Sequence, residues 1–337
     1  MKFPVRETSR LGIAILLLGL IPRSVPAQEK PNRPPWAQPE TAGQSSSTPP
    51  NDKSQEQPAS PRGTIKVNVN LVNVLVSVLD EHNRPAPNLP MEAFQILEEG
   101  VPQKIDVFES ETKQPLDLAL MIDSSMSAHQ EMAYERDAAS NFIKQVVKPD
   151  DRMAVYGFDE NVTLMANFSN EIGVLQDGVR RIADGAGTSI YDAVILGSQA
   201  LAKRGKDRRR VIILVTDAGE TTSHADFESA RRAALRAGVL LYTIVIRVVK
   251  NENGRNTAGE HALQTITDTT GGAMFFPDSA RELPAIFDRI DSELRTQYRL
   301  AYYPNPRGVA NTYRTIEVKV LPGYTARHRN TYLTGPQ

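Results

Sequence analysis

Between Pro115 and Ser127 the chain reads PLDLALMIDSSMS. Leu116, Leu118, Ala119, Leu120, Met121 and Ile122 form an apolar run that ends in an acid and two hydroxyls at alternate positions, Asp123, Ser125 and Ser127. An unbroken apolar run fits a strand buried on both faces, as in a parallel sheet. Open α/β sheets hold their sites in the crevice beyond the carboxyl ends of such strands, and alternate spacing lets one loop turn three oxygens toward one point. An all-oxygen set suits a hard divalent cation, Mg2+ first, with Mn2+ and Ca2+ of the same chemistry. Asp-Ser-Ser is equally a helix N-cap pattern, so this stretch alone leaves both readings open.

Two later stretches narrow the choice. GAGTSIYDAV, Gly185 to Val194, sets Thr188 in a glycine-rich loop ahead of a helical pattern, and VIILVTDAGE, Val211 to Glu220, ends a second apolar strand at Asp217. In this order the three stretches resemble the metal-ion-dependent adhesion site of von Willebrand factor type A domains. The resemblance spans roughly Pro115 to Gln297. It implies an α/β fold, a Rossmann-like doubly wound and mostly parallel sheet, with Ser125, Ser127 and Thr188 as hydroxyl ligands and Asp123 and Asp217 binding the metal directly or through water. Ala218 stands where many relatives have glycine, which bears on the local turn. The mature chain as a whole also resembles a group of secreted acidobacterial proteins that carry such domains.

Length and charge set the frame. With 337 residues, 39 basic and 40 acidic, the chain has room for about two domains and no charge excess to attract a polyelectrolyte. The basic run KRGKDRRR, Lys203 to Arg210, reads as a solvated loop between a helix and a strand. There is no cysteine, so disulfides, thiolate metal sites and cysteine nucleophiles are excluded. No nucleic-acid partner is expected.

Residues 1–27 have the build of a secretory signal: Lys2, Arg6 and Arg10, then the apolar Leu11 to Ile21, then Val25-Pro26-Ala27 for cleavage. Eleven apolar residues fall short of the roughly twenty that a membrane-spanning helix needs. The expectation is an exported protein, periplasmic, cell-surface or extracellular, with no transmembrane helix in the mature chain. Residues 28–62 are rich in Pro, Gln, Ser and Glu and are expected to be a disordered linker, Trp36 included.

From residue 63 to 114 the pattern is β. Ile65, Val67, Val69 and Leu71 alternate, then the phase shifts to Val72, Val74, Val76 and Val78. FQILEEG, Phe94 to Gly100, is expected to form a hairpin with KIDVFES, Lys104 to Ser110. Residues 115–297 alternate strand and helix, with one hairpin around Asp159 and Glu160 at the sheet edge and a last helix opened by a Ser279/Glu282 capping box. Residues 298–334 return to β through Tyr298 to Tyr303, Tyr313 to Val320 and a strand from Ala326 to Leu333. Small β units need several strands, so the flanking segments are expected to pair into a β-sandwich-like domain with the α/β domain inserted.

For function, the resemblance implies a binding or adhesion module rather than an enzyme. Its partner would be a protein ligand that supplies an Asp or Glu carboxylate to the metal, within an envelope complex or matrix. Two other classes stay open: a metal-free scaffold or regulatory subunit of an envelope complex, and a hydrolase. Against the last, the chain has no Gly-x-Ser-x-Gly elbow and no His-Glu-x-x-His. Asp192 reads as a supporting or capping acid, and His129 and His224 as surface residues near the metal loops.

Overall fold

The computed structural model describes residues 71–110, 113–125, 132–246 and 256–335. The signal-like segment, the linker, the strand expected from Ile65, and Ser127 and His129 in the metal loop lie outside the described residues. Among the described residues, no helix is long and apolar enough to cross a membrane.

The main sheet is built on β5 (Leu116–Asp123), whose eight residues are all buried. Its alternation assigns Leu118, Leu120 and Ile122 to one core, and Ala119 and Met121 to the other. Burying each of the larger side chains contributes roughly 1.5–3 kcal/mol, so this strand resists exchange with any other register. Beside it lie β6 (Arg152–Phe158) and β7 (Val162–Ser169) on one side. On the other are β8 (Arg209–Thr216), β9 (Val239–Val245) and the short β10 (Met274–Phe275). The order is β10-β9-β8-β5-β6-β7. All pairings are parallel except β6 with β7, the expected edge hairpin.

Helices cover both faces. Buried residues of α1 (Met132–Val146), α2 (Ile172–Arg180) and α6 (Leu283–Arg295) join one core. Those of α3 (Ile190–Ala202), α4 (Phe227–Ala237) and α5 (Thr257–Thr270) join the other. Because the chain runs outward from β5 through β6 and β7 and then returns to β8 on the other side, the strand order reverses between β5 and β8. The crevice at their carboxyl ends is the topological switch point.

Two antiparallel sheets make up the rest. One has the order β13-β1-β11-β4, from β1 (Val72–Leu79), β4 (Val107–Glu109), β11 (Tyr298–Tyr302) and β13 (Thr325–His328). The other is β14-β12-β2-β3, from β2 (Gln95–Glu98), β3 (Val101–Gln103), β12 (Tyr313–Lys319) and β14 (Thr331–Leu333). Val74, Val76, Phe94, Ile96, Leu300 and Val318 pack in one cluster between them, a sandwich-like arrangement drawn from both flanks of the α/β part.

Several expectations are corrected. The partner of β2 is β3, joined by a two-residue turn in which Glu99 and Gly100 have φ of 50° and 78°. Positive φ at both positions is the twist-matched hairpin geometry. KIDVFES instead supplies β4, which crosses to the opposite sheet and pairs with β11. The strand expected from Ala326 to Leu333 is two strands, β13 and β14, in different sheets. No capping box forms at Ser279: Glu282 accepts from the Asp278 N–H at 3.1 Å, and a short 3₁₀ turn precedes α6.

The basic run is a solvated turn only at Lys203 and Gly205 to Asp207; its arginines are held by partners. Arg204 and Arg208 pair at 3.0 and 2.8 Å with Asp117, whose side chain is fully buried at the start of β5. Arg209 is buried and donates to the Gln114 carbonyl and the Gln297 side chain at 3.0 and 3.2 Å. Gln297 in turn donates to Ser77 at 3.2 Å, which ties the end of α6 to β1. Arg327 of β13 pairs with Glu293 of α6, which also accepts from Tyr242 at 2.8 Å. Gly271 ends α5 with φ of 87°, and a Cβ there would lie 2.3 Å from the Arg329 nitrogen. Only glycine satisfies both conditions.

Candidate metal centre

Asp123 ends β5 and Thr216 ends β8, so the parallel pairing of these strands sets them side by side. The Thr216 hydroxyl donates to Asp123 Oδ2 at 2.6 Å, and the Ser125 N–H donates to Asp123 Oδ1 at 3.0 Å. Asp123 is 1% exposed. Its carboxyl is pushed up to about 6, by burial first and by the neighbouring charge of Asp217, against the opposing hydrogen bonds from Thr216 and Ser125.

Asp217 lies one residue beyond β8. Its Oδ1 accepts from the Gly219 N–H at 2.8 Å, a tight local turn. Ala218 between them has φ of 66° and is fully buried. A left-handed alanine costs roughly 1–2 kcal/mol relative to the right-handed form, so the position where many relatives have glycine does need that conformation. The turn is held from outside by α5. The first turn of that helix approaches so closely that a Cβ on Gly259 would lie 2.2 Å from the Ala218 carbonyl oxygen.

Thr188 reaches the same crevice by a separate route. Gly185 donates to the Ser124 carbonyl at 2.8 Å, and Ser125 and Gly185 form an isolated parallel bridge. The Thr188 N–H donates to the Thr221 hydroxyl at 2.8 Å, while its carbonyl accepts from the Thr221 and Thr222 N–H groups at 2.9 and 3.1 Å. Thus the loops after β5, before α3 and after β8 are tied into one unit carrying Asp123, Ser125, Thr188 and Asp217. Ser127 belongs to the residues not described.

Asp192 does not join them. Its carboxylate accepts from the His224 and Ala225 N–H groups at 2.9 and 3.1 Å and contacts His224 Nδ1 at 3.1 Å, holding the loop ahead of α4. Two supporting residues were missed in the sequence. Thr216 was visible as a polar residue closing an apolar strand. Glu220, which accepts from the Tyr191 N–H at 3.2 Å and from the Ser223 hydroxyl at 2.8 Å, had no distinguishing pattern.

The donor chemistry fits a hard divalent cation. The groups that move the titration of Asp123 are hydroxyls, an amide and a second carboxylate, with no cation among them. A buried carboxylate beside a second, half-buried one favours uptake of a proton or a metal ion. Among the described residues no three His, Asp or Glu side chains converge, so the set rests on two acids and hydroxyls.

Fold and crevice together define an α/β module of the doubly wound type with an oxygen-rich switch-point site. Residues 118–220 match the family model of the von Willebrand factor type A domain. Solved structures similar to it include the conserved hypothetical protein BatB from Bacteroides thetaiotaomicron, at 15% identity over 53% of this chain and 98% of that one, with a TM-score of 0.42. A von Willebrand factor type A protein from Catenulispora acidiphila gives 11% identity over 81% and 76%, with a TM-score of 0.47. The vWF domain of the type V pili tip protein Mfa5 from Porphyromonas gingivalis gives 12% over 53% and 95%, with a TM-score of 0.45. The search of curated proteins found no match.

Proposed function

We propose that the crevice between β5 and β8 binds a divalent cation, Mg2+ before Mn2+ or Ca2+, through Asp123, Ser125, Ser127, Thr188 and Asp217. Through that site the chain engages a protein partner. One observation carries the reading: Asp123 is buried beside a second carboxylate with only neutral donors around it. A cation there would relieve both the desolvation and the repulsion.

When bound, the ion supplies Lewis acidity toward an anionic oxygen. The chain's own residues orient the site. Thr216 and the Ser125 N–H fix the Asp123 carboxylate while leaving lone pairs on each oxygen. The remaining ligands are neutral hydroxyls, so the site keeps an appetite for an Asp or Glu carboxylate from outside. That logic is binding rather than turnover. The signal-like residues 1–27 support an exported location, with the partner in an envelope complex or matrix.

The test is affinity capture from the producer's envelope fraction with Mg2+ or with EDTA, beside Asp123→Ala, together with Mn2+ titration of both proteins by electron paramagnetic resonance. Capture and Mn2+ binding that both require Asp123 support the proposal. A second reading, a metal-free scaffold, draws on the hydrogen bonds that Asp123 already accepts on both oxygens. It predicts equal capture in all arms and no Mn2+ signal.

A further inference from the structure

Beside the crevice, a groove of about 500 Å³ opens between the β6–β7 turn, α3 and the loop ahead of α4. Val162, Ile195 and Leu196 give it an apolar lining, with Leu196 43% exposed, while Glu160, Asp192 and His224 stand around it. No lysine or arginine lines it.

The groove is continuous with the proposed metal face. The side chain of Glu160 lies against Gly187, where a Cβ would be 3.0 Å from its Cγ, and Gly187 immediately precedes Thr188. Asp192, in the first turn of α3, follows Thr188 by four residues. The Ser189 N–H donates to the Asp159 carbonyl at 2.7 Å, which fixes the β6–β7 turn to the Thr188 loop. Glu160 is exposed and makes no hydrogen bond or ion pair among the described residues.

Charge decides what fits. A purely apolar occupant would take the unpartnered Glu160 carboxylate out of water without compensation, which is costly. A long basic side chain lays its methylene stem on Val162, Ile195 and Leu196 and carries its charge to Glu160. We infer that this groove is a specificity subsite that takes a lysine or arginine of the protein partner. The inference rests on the metal-dependent reading above and adds the partner's second recognition element.

The experiment is selection of a random peptide display library on the immobilised full chain in Mg2+, with elution by EDTA, repeated on Glu160→Lys and Leu196→Ser. On the unaltered chain, EDTA-eluted peptides are expected to pair an Asp or Glu with a nearby Lys or Arg. On Glu160→Lys the acid should persist while the basic preference disappears, and a selected peptide should bind about tenfold more weakly. Leu196→Ser should weaken the same peptide without changing its dependence on Mg2+. Acid-bearing peptides enriched with no basic neighbour, with an apolar neighbour instead, or with a basic preference that survives Glu160→Lys overturn the subsite while leaving the metal reading standing. If no peptide elutes with EDTA, the metal reading falls and the subsite with it.

Discussion

The hydroxyl of Thr216 donates to Asp123 across the β5–β8 pair at 2.6 Å, and the same oxygen accepts the Ala218 N–H at 3.1 Å. One side chain therefore positions the first acid and the turn that carries the second. Thr216→Val keeps shape and removes both bonds. Partners of metal ligands are typically worth 10–100-fold in affinity. The variant should stay folded and bind Mn2+ at least about tenfold more weakly, read by electron paramagnetic resonance titration.

Gly259→Ala should act on the same turn from the other side. Its new Cβ would meet the Ala218 carbonyl, a backbone atom that cannot swing away. Overpacking of this kind costs roughly 1–3 kcal/mol. Asn256→Ala removes the cap of the same helix, whose side chain accepts from the Gly259 N–H at 2.9 Å, and should cost about 1 kcal/mol. Urea denaturation gives both losses. Only Gly259→Ala should also lower Mn2+ affinity, because only it displaces the Asp217 turn.

Asp117→Asn should be among the most destabilising single changes in the α/β part. It leaves Arg204 and Arg208 facing a neutral group at a fully buried position. Breaking a buried ion pair from one side costs about 3–5 kcal/mol. Chemical denaturation should show that loss, with Mn2+ binding at saturation unchanged because the pair lies at the opposite end of the sheet from the crevice.

His328 makes the β sandwich sensitive to acid. Its Nε2 accepts the Val318 N–H at 3.0 Å and its Nδ1 lies 2.8 Å from the Arg329 carbonyl, so the ring is neutral with its proton on Nδ1. Burial lowers its pKa below the ordinary 6.5, opposed by the Arg329 carbonyl and Glu317. In the window below 6.5 the unfolded chain binds the proton more readily, so stability rises with pH there. The contribution is complete above 6.5 and is lost as the pH falls toward the lowered folded value. Denaturation midpoints from about pH 8 to pH 5 should fall in the unaltered chain and fall less in His328→Gln.

Much of the α/β part was legible because its signals are local. The unbroken apolar run of β5 and its abrupt polar end gave the strand, its burial and the place of Asp123. The stripe Ile190, Ala193, Val194, Gly197 and Leu201 is buried along α3 as the helical period requires. Pairings between short strands were not legible. β3 and β4 have three residues each, too few for any period, and which sheet each joins is decided by tertiary contacts. The arginines of the basic run read as solvated because the acid that binds them lies 87 and 91 residues away. Asp117 inside an otherwise apolar strand was the available sign, since a buried carboxylate needs a partner.

The chain enters the α/β part from β4 and leaves it into β11, and these two strands are antiparallel neighbours with Arg299 opposite Glu109. Mechanically, the α/β part is a closed side loop on a zipped stem. Along the covalent chain, tension between residues 72 and 335 passes through the strand pairs of the sandwich before it enters the α/β part between β4 and β11. On the proposed function, a partner held at the crevice would pull on the stem from its far end, so the pairing that lies between the site and strain along the chain would also carry load from the ligand.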